Sequence, residues 1–287
     1  MTLSLDNLRY VRIGTADLAA ATRFAGETLG LQANGVSDKI AYFRSDSRDY
    51  SLCFFDGKPE DTAVAFEIHL AGDLDQAFDD LTAAGFSPRR GTDEEAEERR
   101  VKSFIAFRSK SGTAIEIVHR PLSSGWRFHA TRDAGITGLQ HVGFRSDRIA
   151  EDQAMWTDVL GARVSDWVGD AAFLRIDALH HRVALYPSRP GGLFEVGFAV
   201  EELDQIMQNF YYMRGRQVRI LRGPGRDPAS GQIFLSVAGP DGILFTLSTE
   251  MERVDEDRLA RQYPFQPASF CGWGTVSELP EFAGPRT

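Results

Sequence analysis

Six histidines are among the side chains in this sequence that could carry acid–base or metal chemistry, and three of them lie in the second half. His141 lies within the apolar run 139–144, whereas His180 and His181 begin a predicted strand that continues over the β-rich run 182–186. Histidine changes charge near neutral pH and readily binds metals, although among apolar neighbours it is also a common core residue. Consecutive strand residues face opposite sides, so only one of His180 and His181 is expected to face a cavity, and the two are not a joint chelate.

Two carboxylates also lie within apolar runs. Glu195 opens the run 195–200, and Glu116 lies in the run 113–118. Burying a carboxylate is costly unless it is paired or bound to a cation, so Glu195 is a candidate ligand or acid–base residue. The alternative is a carboxylate at a strand end that reaches solvent just after the Pro-Gly-Gly turn at 190–192. No histidine in its half is identified as a partner for Glu116, so a metal site at Glu116 has little support.

Other recurrent catalytic patterns are absent from the sequence. It contains no serine nucleophile elbow, no phosphate-binding glycine loop and no HExxH pattern. Each of those patterns marks a particular chemistry, nucleophilic attack, phosphate binding or zinc hydrolysis, and none of these is supported here. The chemistry that remains is proton transfer or metal binding by histidine and carboxylate side chains.

The elements that must position these residues repeat four times along the chain. Each repeat begins with a short apolar or alternating run, continues with residues of helical period and ends at a glycine. Two or three short β-rich runs follow each helix, so the repeated unit is βαβββ and the fold class is α+β. The predicted helices cover residues 19–29, 73–81, 149–160 and 202–210.

The four modules are expected to pair into two domains. The motif at 73–76 recurs at 202–205, about one domain length further on, and the pattern lapses between Pro121 and Gly138. We therefore predict domains at 1–125 and 135–287, with the site in the second and no site in the first. The charged run 93–100 is expected to be a solvated loop or helix face.

Composition limits the partners of the chain. It has 287 residues, 43% of them hydrophobic, and a formal net charge of −9. An acidic chain without a basic cluster is a poor binder of nucleic acid, and no apolar run approaches the roughly 18 residues that a membrane span needs. Residues 1–12 show no signal-peptide pattern and the two cysteines form no CxxC pair, so we expect a cytoplasmic protein.

Taken together, these features identify a family resemblance that covers nearly the whole chain. The chain resembles the type I extradiol ring-cleaving dioxygenases, of the 2,3-dihydroxybiphenyl 1,2-dioxygenase kind, in the vicinal oxygen chelate superfamily. The resemblance implies two glyoxalase/bleomycin-resistance-like domains, a small aromatic substrate, ferrous iron and assembly as a homo-oligomer. In the sequence it rests on 10–31 and 114–117 in the first half, and on 138–141, 158–161, 180–181, 239–242 and 273–274 in the second.

The family holds ferrous iron with two histidines and one carboxylate on one face. The first histidine carries over onto His141, and the acid–base histidine of the family carries over onto His181. The second histidine ligand falls at Glu195, and the carboxylate ligand falls at Thr246. No histidine follows His181 in the chain, so the usual two-histidine set is not intact. A further histidine and a tyrosine of the family fall at Gly231 and Ser236.

Three arrangements are compatible with these changes. A shifted metal site could use His141, Glu195 and His181, or Glu250 could complete the metal shell from outside the aligned positions. Alternatively, no metal is bound, and Glu195 and His181 act as acid and base on an aromatic ligand. The corresponding functions are a dioxygenase-like enzyme with an altered iron site, a metal-independent acid–base enzyme, and a non-catalytic aromatic-binding protein.

Aromatic residues of the C-terminal segment are a further expectation from the resemblance. This segment is expected to wrap irregularly over the body of the protein, from Tyr263 to Gly274. Tyr263, Phe265 and Trp273 lie on this wrap and are expected to cover the pocket.

Overall fold

Each of the four repeated segments forms a βαβββ module, as the sequence predicts. The computed structural model describes residues 3–284. The alternating runs form strands because a period of two places every second side chain on one face of a sheet. The strands of the first half are β1 (Asn7–Thr15), β2 (Gln32–Val36), β3 (Ile40–Arg44), β4 (Leu52–Asp56), β5 (Ala63–Ile68), β6 (Arg89–Arg90), β7 (Val101–Arg108) and β8 (Ala114–Pro121).

The second half repeats this arrangement and adds one short strand from the C-terminal segment. This extra strand pairs in parallel with the second strand of the third module. The strands of the second half are β9 (Ile136–Ser146), β10 (Arg163–Val168), β11 (Ala171–Arg175), β12 (Val183–Pro187), β13 (Gly192–Val200), β14 (Ile220–Arg226), β15 (Ile233–Ala238), β16 (Leu244–Thr249) and β17 (Arg261–Tyr263).

Paired modules share one curved sheet, with their first strands side by side at its centre. The first sheet has the order β2-β3-β4-β1-β5-β8-β7-β6, and β1 runs antiparallel to β5. The second sheet has the order β14-β15-β16-β13-β9-β12-β11-β10-β17, and β9 runs antiparallel to β13. Each central pair therefore brings residues from two different modules next to each other.

The helices follow the predicted positions. Two of them continue as a π-helical turn, over Phe24–Leu29 and Met155–Val159. None of the helices within residues 3–284 is long and apolar enough to cross a membrane. The helices are α1 (Leu18–Arg23), α2 (Ala71–Ala83), α3 (Asp93–Glu98), α4 (Ile149–Ala154), α5 (Leu203–Gly215) and α6 (Pro267–Phe270).

Each of the four module helices ends at or close to a glycine, as the sequence predicts. Gly30, Gly85 and Gly161 have φ values of 84°, 77° and 70°, in the left-handed region that glycine adopts readily. The fourth helix, α5, differs because Gly215 is its last helical residue and does not have the left-handed conformation. There the left-handed residue is Gln217, with φ of 57°.

The two faces of each sheet have different environments. On β9, Val142 and Phe144 pack into a core that is shared by both halves of the chain. His141, next to Val142, points to the opposite, concave face. Aromatic contacts join the halves within the core, since the Phe24 and Phe245 ring centroids are 5.0 Å apart. The concave face of each sheet is therefore where polar side chains can meet a ligand.

Two predictions about irregular segments have different outcomes. The charged run forms α3, in which only Ala96 is buried, so a solvated helix face is confirmed. His180 and His181 lie just before β12 and do not begin it, so that prediction is wrong. The reason is that the His180 N–H bonds to the Glu252 carbonyl in the C-terminal segment, not to a neighbouring strand.

Candidate active site in the second sheet

The register of the central strand pair brings His141 and Glu195 together. His141 lies opposite Gly197, and Glu195 lies opposite Gly143, so both side chains are on the concave face. The His141 Nε2 and Glu195 Oε1 atoms are 3.7 Å apart, and both side chains are buried. Gly197 is required here, because a Cβ at that position would lie 2.1 Å from His141 Cε1.

Hydroxyl groups satisfy the buried Glu195 carboxylate. The Thr246 hydroxyl donates to Oε1, and the Tyr186 hydroxyl donates to Oε2 at 3.3 Å. Ser236 Oγ lies 2.8 Å from Thr246 Oγ1. Burial raises the pKa of Glu195, but its contacts with His141, Arg222 and Thr246 outweigh burial and lower it below its usual value. Glu195 is therefore a buried carboxylate and not a strand-end group in solvent.

A hydrogen-bonded chain joins Asp166, His180 and His181. The His180 Nε2 atom is 2.8 Å from Asp166 Oδ2, and the two histidine Nδ1 atoms are 3.0 Å apart. All three residues are at most 1% exposed. The two histidines contact each other and otherwise have different partners, because His180 binds Asp166 whereas the His181 ring lies 4.8 Å from the His141 ring.

This chain assigns the tautomers when both imidazoles are neutral. A carboxylate only accepts hydrogen bonds, so His180 Nε2 donates to Asp166 and His180 Nδ1 is left as an acceptor. His181 then donates through Nδ1, and its Nε2 atom carries the free lone pair. Burial, together with the neighbouring His141, His180 and Arg182 side chains, holds the pKa of His181 well below its usual value. His181 is therefore unprotonated at neutral pH, and it gains a proton where the negative charge of a bound anion raises its pKa.

Asp166 is held in the ionised state by the C-terminal segment. Arg258 Nη1 donates to Oδ1 at 3.1 Å, and Arg261 donates from its backbone N–H to Oδ1 and from Nη2 to Oδ2, each at 2.7 Å. Burial raises the pKa of Asp166, but the hydrogen bonds from His180, Arg261 and Arg258 lower it far below its usual range. The C-terminal segment thus supports the orientation of His181 through Asp166 and His180.

Aromatic rings and one arginine surround these polar groups. The Phe173 ring lies 5.0 Å from His181 and 6.2 Å from Tyr186, measured between centroids. The Arg222 guanidinium lies 3.6 Å from the Phe282 ring centroid and is buried. Within residues 3–284, no carboxylate lies within 4 Å of the Arg222 nitrogens. The site therefore combines apolar ring surfaces with a buried positive charge.

The donors do not fit the iron site of the family. At the carboxylate position, the Thr246 hydroxyl is used to hydrogen-bond Glu195, and at the second histidine position stands Glu195 itself. Among the residues that the structure describes, no three His, Cys, Asp or Glu side chains form a group that could hold a metal ion. His141 and Glu195 alone supply two donors, whereas the facial triad needs three.

Neither of the completions considered from the sequence supplies the third donor. His181 is near His141, but its Nδ1 is engaged by His180 and it is not part of a three-donor group. Glu250 is wrong as a completing ligand, because it pairs with Arg226 at 2.6 Å and its side chain is 48% exposed. The site residues His141, Glu195 and His181 nevertheless lie together on the concave face.

Some of the residues that form this site were not identified from the sequence. Asp166, Tyr186, Arg222 and Phe282 all contribute, and only Asp166 carried a signal, as a charged residue inside a strand-like run. The C-terminal segment contributes the expected Tyr263 and Phe265, which pack against the apolar cluster that contains Phe173 and Tyr186, and also Phe282, which was not expected. Trp273 is 49% exposed, whereas Phe282 packs 5.2 Å from Tyr186, measured between centroids.

Three titratable residues of the first half, Glu116, Glu67 and His69, lie outside this site. Glu116 bonds to Tyr10 and Arg99 in the first sheet and so is fully engaged without a metal. Glu67 is half-buried and pairs with Arg9, and His69 is exposed.

The sequence and structure agree with one protein family. The model of the Glyoxalase/Bleomycin resistance protein/Dioxygenase superfamily matches residues 7–117 and 138–247, so the chain belongs to this superfamily. Within it, the chain is similar to type I extradiol dioxygenases, as the sequence resemblance indicates.

Two curated relatives illustrate this similarity. An iron-dependent extradiol dioxygenase of Rhodococcus jostii (strain RHA1) is 27% identical over 290 residues, which cover 91% of this chain and 94% of the relative. A biphenyl-2,3-diol 1,2-dioxygenase of Paraburkholderia xenovorans (strain LB400) is 29% identical over 233 residues, covering 70% of this chain and 77% of the relative. The two activities named here are those of the relatives.

Solved structures show the same fold. A halotolerant catechol dioxygenase superposes with a TM-score of 0.86 at 18% identity, covering 98% of this chain and 97% of that one. A Mn(II)-bound glyoxalase from Novosphingobium aromaticivorans also gives a TM-score of 0.86, at 23% identity, covering 99% and 96% of the two chains. At these identities the comparison shows the fold alone.

Proposed function

We propose that this chain is an extradiol-dioxygenase-like enzyme that acts on a catechol-like aromatic compound by acid–base chemistry, without the iron triad of the family. The observation that carries the proposal is the chain Asp166–His180–His181, which leaves a neutral imidazole nitrogen free on the concave face. A catechol carries two acidic hydroxyl groups, which are suitable partners for such a base. The curated relatives that act on aromatic diols support this substrate class.

In this proposal, proton transfer from the substrate is the step that the residues themselves perform. His181 Nε2 accepts a proton from one hydroxyl group, and the electron pair stays on the phenolate oxygen. The buried Arg222 guanidinium stabilises the resulting negative charge. Proton transfer by a positioned side chain contributes typically 10²- to 10⁴-fold to a rate.

The remaining polar groups orient the substrate. Glu195 offers carboxylate oxygens as acceptors for the second hydroxyl group, and His141 lies beside it as a further hydrogen-bonding partner. Phe173 and Tyr186 present ring faces or edges against which an aromatic ring can pack, and such contacts add to the free energy of binding. Together these groups bind the ring in one orientation relative to His181.

A second candidate is iron-dependent ring opening with a reduced protein ligand set. The observation that favours it is the 3.7 Å approach of His141 Nε2 to Glu195 Oε1, two donor atoms that face the same space. The Rhodococcus relative is named as iron-dependent, which also favours it. In this candidate, ligands other than the side chains of residues 3–284 complete the metal shell.

Turnover of a panel of catechols, with and without a strong chelator, separates these possibilities. The proposal predicts product that persists with chelator and is lost in His181→Ala, whereas His129→Ala, the same change at an exposed histidine, retains activity. Dioxygen uptake that the chelator abolishes would favour the second candidate. Tight binding without any product in either condition would contradict both and indicate a binding protein.

A further inference from the structure

A separate cleft lies on the concave face of the first sheet, in the half of the chain where no site is expected. Its volume is about 850 Å³. Small-molecule sites are typically clefts of about 300–1,000 Å³, so this cleft is large enough for a ligand. It is formed by residues of the first half alone, and is independent of His141 and His181.

The floor of this cleft corresponds to the active site of the second sheet. The strand register places Tyr10 opposite Ala65, which pairs with Glu116. The same register in the second sheet links His141, Gly197 and Thr246. Tyr10 and Glu116 therefore occupy the positions that His141 and Thr246 occupy in the other half.

The charged side chains on the inner wall of the cleft are paired within the protein. Glu116 accepts a hydrogen bond from the Tyr10 hydroxyl and another from Arg99 Nε, each at 2.7 Å. Arg12, which is 4% exposed, pairs with Glu98 of α3. These buried groups have their partners within the protein, so they shape the floor and leave ligand recognition to other residues.

The rim of the cleft carries two cations that lack acidic partners. Lys110 Nζ donates to the Gly85 carbonyl at 3.1 Å, and Arg108 donates to the carbonyls of Gly112 and Glu60 at 2.8 and 3.0 Å. Within residues 3–284, neither cation has a carboxylate within 4 Å. An ammonium has three donors and a guanidinium has five, so both retain donors for an anion.

Aromatic side chains lie beside these cations. Phe86 and Phe107 are 5.9 Å apart between centroids, and Lys110 Nζ lies 4.2 Å from the Phe86 centroid. Phe55 contributes a further ring on the cleft lining. Five basic and four acidic side chains line the cleft, so it is net positive in a chain whose formal net charge is −9.

We propose that the cleft of the first sheet binds a small aromatic carboxylate. The carboxylate of the ligand binds Lys110 and Arg108 at the rim, and its ring packs against Phe86, whose half-buried ring lines the cleft. Paired, charge-assisted hydrogen bonds to a carboxylate are among the stronger polar contacts in proteins. The ring contacts select an aromatic acid over a simple anion such as acetate.

Calorimetric titration of the full chain with benzoate tests this proposal, with benzamide as the neutral analogue. We expect 1:1 binding of benzoate, much weaker binding of benzamide, and amide resonance shifts at Gly85 and Gly112. Hydrogen bonds to charged groups contribute about 1.5–3 kcal/mol, so Lys110→Gln is expected to weaken benzoate binding about tenfold or more. Lys39→Gln removes the same charge from an exposed site elsewhere in this half and is expected to leave the affinity unchanged.

A second pair of variants locates the ligand. Arg108→Gln changes an exposed side chain at the rim and is expected to weaken binding as Lys110→Gln does, without unfolding the protein. His181→Ala alters only the second sheet and is expected to leave benzoate affinity unchanged. Absence of benzoate binding to the unmodified chain would overturn the proposal. So would binding that His181→Ala abolishes and Lys110→Gln does not affect.

Discussion

At the scale of single residues, the protonation state of His181 depends on a carboxylate that it does not touch. The ionised Asp166 accepts a hydrogen bond from the His180 Nε2–H group and so fixes which nitrogen of His180 accepts from His181. The tautomer of His181 therefore depends on the direction of the hydrogen bonds in this chain. A substitution that keeps the shape of Asp166 but exchanges an acceptor for a donor is expected to change that tautomer. Asp166 is accordingly a positioning residue for the base.

Replacing Asp166 with asparagine tests this dependence. The amide of the new side chain can present an N–H to His180, which favours the reversed tautomer and turns His181 Nε2 from an acceptor into a donor. We therefore expect Asp166→Asn to lose substrate deprotonation while it keeps ligand binding. The measurement is the ultraviolet spectrum of a bound catechol across pH. Asp170→Asn, at an exposed position, is the control, and an unchanged spectrum in Asp166→Asn would contradict the assignment.

The altered metal site can be tested by restoring the donors of the family. In Glu195→His combined with Thr246→Glu, the two positions regain the histidine and carboxylate that the family carries there, beside His141. We expect this double variant to bind about one ferrous ion per chain under anaerobic conditions, measured by elemental analysis. The unmodified chain is expected to bind much less. Equal iron content in both proteins would show that the natural donors already suffice.

The candidate site could be predicted from the sequence only in part. His141, Glu195 and His181 were identified because each stands at a family position in a strand-like run. Arg261 and Asp166 are 95 residues apart, and no local pattern indicates their contact. Tyr186 resembles an ordinary strand aromatic, since nothing in its neighbours shows that its hydroxyl reaches Glu195.

At the scale of elements, the strand pair β9–β13 sets the geometry of the site. Side-chain alternation decides which residues share a face, and a slip of one residue would move them to the other face. The β-bulge between Gly197 and Phe198 changes this alternation beside His141. The fold class and most strands were predictable because alternation is local, whereas bulges depend on the partner strand and were not.

A glycine substitution tests the close approach in this strand pair. Gly197→Ala places a methyl group where the His141 ring now lies, so the ring must move. We expect catechol binding to fall by at least about tenfold, or roughly 1.4 kcal/mol, with the fold retained. Gly72→Ala in α2 meets nothing within 4 Å and is the matched control. Unchanged binding in Gly197→Ala would show that the position of His141 is unimportant.

Helix ends show why element boundaries were less predictable. The glycines at 30, 85 and 161 end their helices because the backbone there adopts positive φ. α5 also ends at a glycine, Gly215, but the residue with positive φ is Gln217, two residues later. A glycine in the sequence therefore indicates a helix end but does not fix which residue turns the chain.

At the scale of the whole molecule, the two halves share one hydrophobic core. Phe245 of β16 contacts Phe24 and lies 6.5 Å from Phe54, both in the first half. Phe66 of β5 likewise lies 4.9 Å from Trp156. Such contacts couple the folding of the two halves, because neither can lose its structure without exposing apolar surface of the other.

Truncation of this shared core tests the coupling. Phe245→Ala removes a fully buried ring and is expected to lower the free energy of unfolding by about 3–5 kcal/mol. Both halves should still unfold in one transition, measured by circular dichroism and by tryptophan fluorescence. Trp126→Ala, at an 84% exposed side chain, is the control. Two separate transitions would contradict a single cooperative core.

The central claim is that His181 deprotonates a catechol-like ligand without the iron triad of the family. The most direct measurement is the ultraviolet difference spectrum of a catechol bound to chelator-treated protein at neutral pH, compared with His181→Ala. We predict a catecholate spectrum for the unmodified protein and the spectrum of the protonated catechol for His181→Ala. A catecholate spectrum that appears only after stoichiometric ferrous iron is added would contradict the claim.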